Sequence, residues 1–191
     1  MTTLEDQIWD RFNSNKPILV DENWLEEVYS LDLSSELRFT IGERLGLLSD
    51  KGWEVIKTLI HKYGYQYELI YASGLCHQIE ARDLLLKLFR DHNKLDLTVV
   101  RALACWGAIL EIHELKMILR QDSMQMRLAG LDLLSFKAHL LNANELLELV
   151  GDLLDDFREE VVIKVIQTLQ RRDEDQIINC ITKIACSKMD K

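Results

Sequence analysis

Hydrophobic residues recur along this chain at the spacing of helices. Leu37, Ile41 and Leu45 follow one another at intervals of four, which places them on one face of a helix with 3.6 residues per turn. Gly42 and Gly46 lie in the same segment, and each lowers helix propensity by about 1 kcal/mol relative to alanine. Glycines at these positions indicate a close neighbour, so we expect a second helix to stack against this one.

The same arrangement returns at a period of roughly 30 residues. Its first apolar residue stands at positions 37, 69, 100, 126 and 161, which are separated by 32, 31, 26 and 35 residues. A unit of two short helices at this period is typical of a solenoid, in which each unit buries its apolar face only against its neighbours. The spacers at 49–50 and 109–110 are short enough to produce antiparallel helical hairpins.

The pattern predicts an all-α fold, a right-handed α-solenoid of about five helical hairpins in a single domain, 1–191. Residues 1–33 are expected to form an N-terminal helical cap, with helices at 4–13 and 21–30, and residues 34–187 to form the repeats. We place the first helix of each hairpin on the convex side and the second along a concave groove. The predicted repeat helices are 35–48 and 51–63, 66–76 and 78–91, 96–108 and 111–120, 123–136 and 143–155, and 158–171 and 174–187.

Residues that can cap helices precede several of these segments. Ser34 or Ser35 is a candidate N-cap for the first repeat helix, because a serine oxygen can accept a hydrogen bond from a free N–H of the first turn. Asn142 or Asn144, and Asp173, are candidates for later helices.

The composition is that of a globular helical chain. Hydrophobic residues make up 48% of it and charged residues 29%, which excludes a disordered chain, and one proline leaves few helix breakers. No stretch approaches 18 uninterrupted apolar residues, so no membrane span is predicted. The four cysteines form no C-x-x-C pair, and the N-terminus lacks the pattern of a signal peptide. We therefore expect reduced, mostly buried thiols in a cytoplasmic protein.

The net charge of −9 is unevenly distributed. Residues 1–36 hold nine acidic side chains against two basic ones, and residues 143–160 hold seven against Arg158, whereas residues 37–142 are close to balance. An acidic chain repels phosphate backbones, so nucleic-acid binding is not predicted. The expected partner is another protein or a small ligand.

Aromatic residues cluster near one predicted hairpin turn. Trp53, Tyr63, Tyr65, Tyr67 and Tyr71 lie within nineteen residues. Tyrosine and tryptophan provide rigid apolar area with one polar tip, which suits a binding hot spot or a planar ligand. The alternative is a turn whose rings cover the edge of the core.

Basic residues on the second helices of the hairpins are the other candidates for partner contacts. They would line the groove beside the aromatic cluster, which supplies the anchors. These candidates are Lys57, His61, Arg82, Lys87 and Lys116.

Catalytic and metal-binding patterns are weak. Cys76 and His77 are adjacent, and adjacent residues on a helix point about 100° apart, so they share no face. The remaining histidines are scattered and form no zinc-protease or Ser-His-Asp pattern. The acidic residues between Asp152 and Glu160 lack the glycine-containing loop of a calcium site, and a solvated junction between helices is expected there. No catalytic residue, metal site or cofactor is therefore assigned.

An arginine follows the first apolar residue in three of the repeats, as Arg38, Arg101 and Arg127. These arginines either bind carboxylates of a ligand, such as the propionates of a tetrapyrrole, or pair with an acidic residue of the next repeat.

The repeats resemble a known family. The segment from Leu37-Arg38 to Leu45-Gly46, with Asp96 before Val100-Arg101 and Asp122 before Met126-Arg127, resembles the HEAT-like repeat of the phycobilisome-lyase type. The resemblance covers residues 34–187. The second repeat lacks the arginine, and the fifth has Val162 in its place.

The resemblance implies a cytoplasmic cyanobacterial protein and leaves two functions open. The first is a protein-binding HEAT-repeat scaffold or chaperone-like factor in the maturation of phycobilisomes or pigment-proteins, with a phycobiliprotein or another pigment-protein subunit as its partner. The second is a bilin lyase, or a lyase subunit, that attaches or removes an open-chain tetrapyrrole on phycobiliprotein cysteines. A lyase would hold the bilin while a client cysteine attacks, so positioning would supply most of the rate.

Overall fold

The computed structural model describes residues 3–14, 20–91, 95–172, 174–175 and 177–182. Over these residues the chain is helical and contains no β-strand, which confirms the predicted all-α class. It forms two compact units, residues 1–93 and 94–191. The right-handed solenoid, the number of its repeats and the single domain stay predictions.

Unit 1 contains six helices in its described part, and each lies within two residues of its predicted limits. The helices are α1 (Leu4–Phe12), α2 (Glu22–Tyr29), α3 (Ser35–Leu47), α4 (Ser49–Tyr63), α5 (Tyr67–Leu75) and α6 (Ile79–Asp91). Helix α3 packs against α4 and α5, α5 packs against α6, and α2 packs against α3 and α4.

Helices α3 and α5 approach closely at the two glycines of α3. A Cβ atom on Gly42 would lie 3.0 Å from the carbonyl oxygen of Glu68, and one on Gly46 would lie 2.7 Å from Cβ of Leu75. Such distances leave no space for a side chain, so the expected stacking of a neighbouring helix is confirmed. The apolar face of α3, including Leu37 and Ile41, is fully buried in the core of unit 1.

The core of unit 1 also contains a polar pair that the sequence pattern does not reveal. The hydroxyl of Tyr29 donates a 2.7 Å hydrogen bond to Oε1 of Glu68, and both residues are buried. Burial raises the pKa of Tyr29 far above its usual value, and the hydrogen bond to Glu68 raises it further. A buried carboxylate needs donors, so this bond is expected to stabilise the packing of α2 against α5.

Tyr29→Phe is expected to lower the free energy of unfolding of unit 1 by about 2 kcal/mol, because it leaves a buried carboxylate oxygen without its donor. Urea unfolding followed by circular dichroism measures the loss. The matched control is Tyr65→Phe, because the ring of Tyr65 is 54% exposed, and it should change stability by less than about 0.5 kcal/mol. Equal stability of the two variants would show that the buried hydrogen bond contributes little.

Five α-helices of unit 2 lie wholly within the described residues, with 3₁₀ turns at Ala138–Leu140 and Gly151–Leu153. The described residues 177–182 are also helical. No helix in the described ranges is both long and apolar enough to cross a lipid bilayer. The helices are α7 (Leu97–Trp106), α8 (Ile112–Leu119), α9 (Met124–Lys137), α10 (Ala143–Val150) and α11 (Glu159–Leu169).

The predicted limits hold within two residues for α7, α8, α9 and α11, but the prediction for α10 was too long. The segment predicted as 143–155 is α-helical only to Val150, and the 3₁₀ turn follows. The connection between α9 and α10 carries His139 and contains the 3₁₀ turn Ala138–Leu140. Of the segment predicted as a helix at 174–187, the structure describes residues 174–175 and 177–182.

Two of the predicted caps can be compared with the structure. Asn142 caps α10 as expected, since its Oδ1 accepts a 2.9 Å hydrogen bond from the backbone N–H of Glu145. Ser34 precedes α3 but its side chain does not cap that helix. Its hydroxyl donates instead to Oε2 of Glu5 on α1 at 3.0 Å, and its backbone N–H donates to Oε1 of the same carboxylate at 2.6 Å. Asp173 lies outside the described residues.

The repeated arginines have three different partners. Arg127 pairs with an acidic residue of the connection before α11, since its Nη1 lies 2.5 Å from Oδ2 of Asp156. Arg38 donates instead to the backbone oxygen of Leu31, at 3.2 Å. Arg101 donates to Oε1 of Gln125, at 2.8 Å.

Asp156 corrects the expectation that the whole acidic segment is solvated. Its side chain is 0% exposed, and it accepts hydrogen bonds from Arg158 at 2.8 Å as well as from Arg127. These bonds, chiefly those from Arg158, hold the pKa of Asp156 well below its ordinary value. The carboxylate therefore ties α9 to the turn before α11 as a buried, paired charge.

Candidate functional site

An open cleft of about 450 Å³ lies along α4 in unit 1. Its α4 residues are spaced at intervals of four, three and one, which places them on one face of that helix. Tyr65 and Leu84, from the α4–α5 connection and from α6, complete its walls, so we name it the α4–α6 cleft. The residues that line it are Trp53, Lys57, Ile60, His61, Tyr65 and Leu84.

The structure brings together four of the ten residues that the sequence analysis assigned to partner binding. Trp53, Lys57, His61 and Tyr65 share this one cleft. Both helices that border it were predicted as second helices of their hairpins, which is where partner contacts were expected.

Trp53 forms a fixed wall of the cleft and does not protrude. Only 4% of it is exposed. Its indole Nε1 donates a 3.0 Å hydrogen bond to Oε2 of Glu80 on α6, and the Nζ atom of Lys57 lies 5.8 Å from the ring centroid. The indole is therefore held in one orientation before any ligand arrives.

Lys57 is shared between two carboxylates. Its Nζ lies 2.8 Å from Glu54 and 3.3 Å from Glu80, and the side chains of these acids are 71% and 72% exposed. The hydrogen bond from Trp53, followed by that from Lys57, lowers the pKa of Glu80. The hydrogen bond to Glu54 is the main cause of a raised pKa for Lys57. In this group two carboxylates face one ammonium group.

A second cleft, of about 220 Å³, adjoins the first, since Trp53 lines both. We name it the acidic cleft, since three of its six lining residues are carboxylates. Ile79 adds an apolar side chain that is 64% exposed. The acidic cleft is lined by Asp50, Trp53, Glu54, Gln78, Ile79 and Glu80.

The other predicted tyrosines face different neighbours. Gly64, at a φ of +79°, follows α4, so Tyr67 and Tyr71 belong to another helix, α5. Tyr63 packs against Tyr29, with ring centroids 5.7 Å apart. Tyr67 and Tyr71 stack on Phe39 of α3, at 5.8 and 5.2 Å. These three rings thus support the packing of unit 1, which corresponds to the alternative considered for the aromatic cluster.

The other predicted basic residues also lie apart from the α4–α6 cleft. Arg82 pairs with Asp83 at 2.8 Å on the surface of α6, and Lys87 is exposed on the same helix. Lys116 belongs to unit 2, where its Nζ lies 2.6 Å from Oε1 of Glu148 at the edge of a polar cleft of about 130 Å³.

Cys76 and His77 do not form a nucleophile and base. Cys76 is fully buried, its thiol donates to the backbone oxygen of Ser73 at 3.1 Å, and burial raises its pKa. His77 follows the helix with a φ of +53° and is exposed. Burial and a raised pKa both oppose thiolate formation, so this thiol is not activated. Across the described part of the chain, no group of three or more His, Cys, Asp and Glu side chains is arranged for a metal ion.

Sequence reasoning missed Glu54, Ile60, Glu80 and Leu84 as parts of the site. Ile60 and Leu84 belong to the apolar faces of their helices, and periodicity alone does not separate a core position from a groove position. Glu80 is placed by the packing of α6 beside α4, and its spacing in the sequence carries no signal of that contact. The spacing of positions 53, 57, 60 and 61 could have identified the α4 face as a unit.

The α4–α6 cleft is therefore the feature from which a function can be inferred. The sequence matches no protein-family model and no curated protein.

Proposed function

We propose that this protein is a non-catalytic protein-binding module, a scaffold or chaperone-like factor, that holds a segment of another protein in the α4–α6 cleft. The observation that supports this most is the cleft itself, about 450 Å³ in volume, with aromatic and aliphatic walls open at the surface. Its volume is suited to one or two side chains of a partner.

The fixed wall of the cleft favours binding. Trp53 is held by Glu80 and is nearly buried, so it loses little side-chain entropy when a ligand packs against it. Tyr65 is 54% exposed and can cover an inserted side chain. Burying one large apolar side chain of a partner contributes about 1.5–3 kcal/mol. A single inserted residue would thus give a weak, reversible contact, as a chaperone-like factor needs.

Cyanobacterial pigment-protein maturation is the setting that the repeat resemblance suggests, with a phycobiliprotein subunit as the partner. A bilin lyase is the alternative, and the aromatic walls would suit a planar tetrapyrrole. Lys57, the cation nearest to Trp53 in the cleft, already pairs with Glu54 and Glu80, so it is poorly placed to bind a propionate. This charge balance favours a protein segment over a bilin.

Leu84→Lys is expected to reduce partner binding at least about tenfold, because it places a charge in the apolar wall of the cleft. The test is affinity capture from cyanobacterial cells, followed by titration of the purified captured protein. Leu47→Lys is the matched control, since Leu47 lies on α3, is 67% exposed and does not line the cleft. Equal capture of the partner by the wild type, Leu84→Lys and Leu47→Lys, with unchanged circular dichroism, would contradict binding at this cleft.

The rival function has its own readout. Addition of an open-chain bilin to the purified protein should leave the visible spectrum of the bilin unchanged. A stoichiometric spectral shift with a gain in fluorescence, lost in Leu84→Lys but kept in Leu47→Lys, would favour the lyase.

A further inference from the structure

We propose that the segment held in the α4–α6 cleft is a basic one, an apolar side chain next to a lysine or arginine. This inference rests on the proposed function and adds the chemical class of the partner. It comes from the juxtaposition of an apolar cleft and an acidic cleft that share the indole of Trp53.

The charges around Trp53 do not balance. Asp50, Glu54 and Glu80 line the acidic cleft, and Lys57 is the cation that pairs with two of them. Three carboxylates and one ammonium group leave two negative charges in excess at neutral pH. Lys51 on α4 and Arg82 on α6 belong to ion pairs of their own, which add no net charge. These pairs are Lys51 with Glu22 at 3.5 Å, and Arg82 with Asp83 at 2.8 Å.

The acidic side chains remain available to a second cation. The side chains of Glu54 and Glu80 are 71% and 72% exposed, so each keeps acceptor positions open to solvent while it contacts Lys57. A lysine or arginine of a partner can share them without a desolvation cost on the scale of a buried pair. A carboxylate of a partner would face the same excess of negative charge and be repelled. The net charge of −9 on the whole chain acts in the same direction and favours encounter with basic partners.

The shared indole sets the arrangement of the partner. An apolar side chain would enter between Ile60, Tyr65 and Leu84, and a basic side chain would enter the acidic cleft on the side of Glu54 and Glu80. Because Trp53 lines both clefts, the two side chains must be near neighbours in the partner segment. A short linear motif meets this condition.

Two synthetic peptides test the inference directly, Gly-Lys-Phe-Arg-Gly and Gly-Glu-Phe-Glu-Gly, each blocked at both ends. The readout is the NMR signal of the Trp53 indole N–H, which Trp53→Phe assigns among the four tryptophans. The basic peptide should move this signal and bind at least about tenfold more tightly than the acidic one in low salt. In the double variant Glu54→Gln/Glu80→Gln the preference should fall below about threefold. The matched control Glu27→Gln/Glu36→Gln removes two exposed acids of unit 1 that line neither cleft, and it should keep the preference.

The outcomes separate this inference from the proposed function. If both peptides move the Trp53 signal equally and Leu84→Lys abolishes both effects, the cleft binds peptides and the inference of a basic partner is overturned. Tighter binding of the acidic peptide overturns it as well. If neither peptide moves the signal at millimolar concentration, both the inference and the cleft as a peptide site are wrong.

Discussion

Replacement of Asp156 by alanine is expected to lower the free energy of unfolding of unit 2 by about 3 kcal/mol, because removal of one partner from a buried ion pair leaves the others uncompensated. The side chain of Asp156 is 0% exposed and accepts hydrogen bonds from both Arg127 and Arg158. The variant would leave these two guanidinium groups, 18% and 14% exposed, without their shared anion. Urea unfolding measures the loss, and hydrogen exchange in α9 and α11 locates it.

The matched control for this variant is Asp155→Ala. Asp155 is the preceding residue of the same acidic segment and is exposed, so its loss should change stability by less than about 0.5 kcal/mol. A similar effect from both substitutions would mean that the buried ion pairs are not what stabilises this turn.

The stability of unit 2 is expected to depend on pH through the same carboxylate. Because its folded-state pKa lies below the unfolded value near 4, Asp156 stabilises unit 2 fully above that value, and the contribution decreases as the pH falls below it. Wild-type protein should therefore lose more stability between pH 6 and about pH 3 than Asp156→Ala does.

Replacement of Gly52 by alanine is the second substitution with a large expected effect. A Cβ atom at this position of α4 would lie 1.8 Å from the backbone oxygen of Leu45, and a backbone atom of a packed helix cannot move aside as a side-chain end can. The clash should cost about 3 kcal/mol or more, which exceeds the gain of about 1 kcal/mol in helix propensity from glycine to alanine. The expected result is a clear fall in melting temperature, read by circular dichroism, with weaker packing of α4 against α3.

Gly151→Ala provides the comparison for Gly52→Ala. No atom lies within 4 Å of a Cβ built on Gly151, so the same substitution there should change stability by less than about 0.5 kcal/mol. A neutral effect at Gly52 would show that the turn between α3 and α4 relaxes easily.

The helices of this protein could be predicted because their signals are local. Apolar spacing located α3 to within one residue at each end, and glycines within it indicated the approach of α5. The end of α10 at Val150 was missed because apolar residues continue through Leu153 and Leu154, although Gly151 stands at the C-cap and a 3₁₀ turn follows. Apolar spacing alone does not mark where a helix ends.

The candidate site was predicted in part for the same reason. Trp53, Lys57 and His61 stand four residues apart on one helix, so the sequence contains their common face. Tyr67 and Tyr71 are also four residues apart on one helix and are aromatic like Trp53. They nevertheless stack on Phe39 and do not line the α4–α6 cleft. Chemistry and spacing do not tell which neighbour a helical face meets.

The sequence by itself determined the all-α class, the places of most helices, the acidic charge and the face of α4 that carries Trp53. Periodicity and composition carry this information because each depends on residues a few positions apart. Only the tertiary structure decided that Glu80 binds Trp53 from 27 residues away, and that Asp156 pairs with Arg127 from 29 residues away. The physical reason is that packing between helices sets these distances, and the acidic excess at the cleft exists only once α6 lies beside α4.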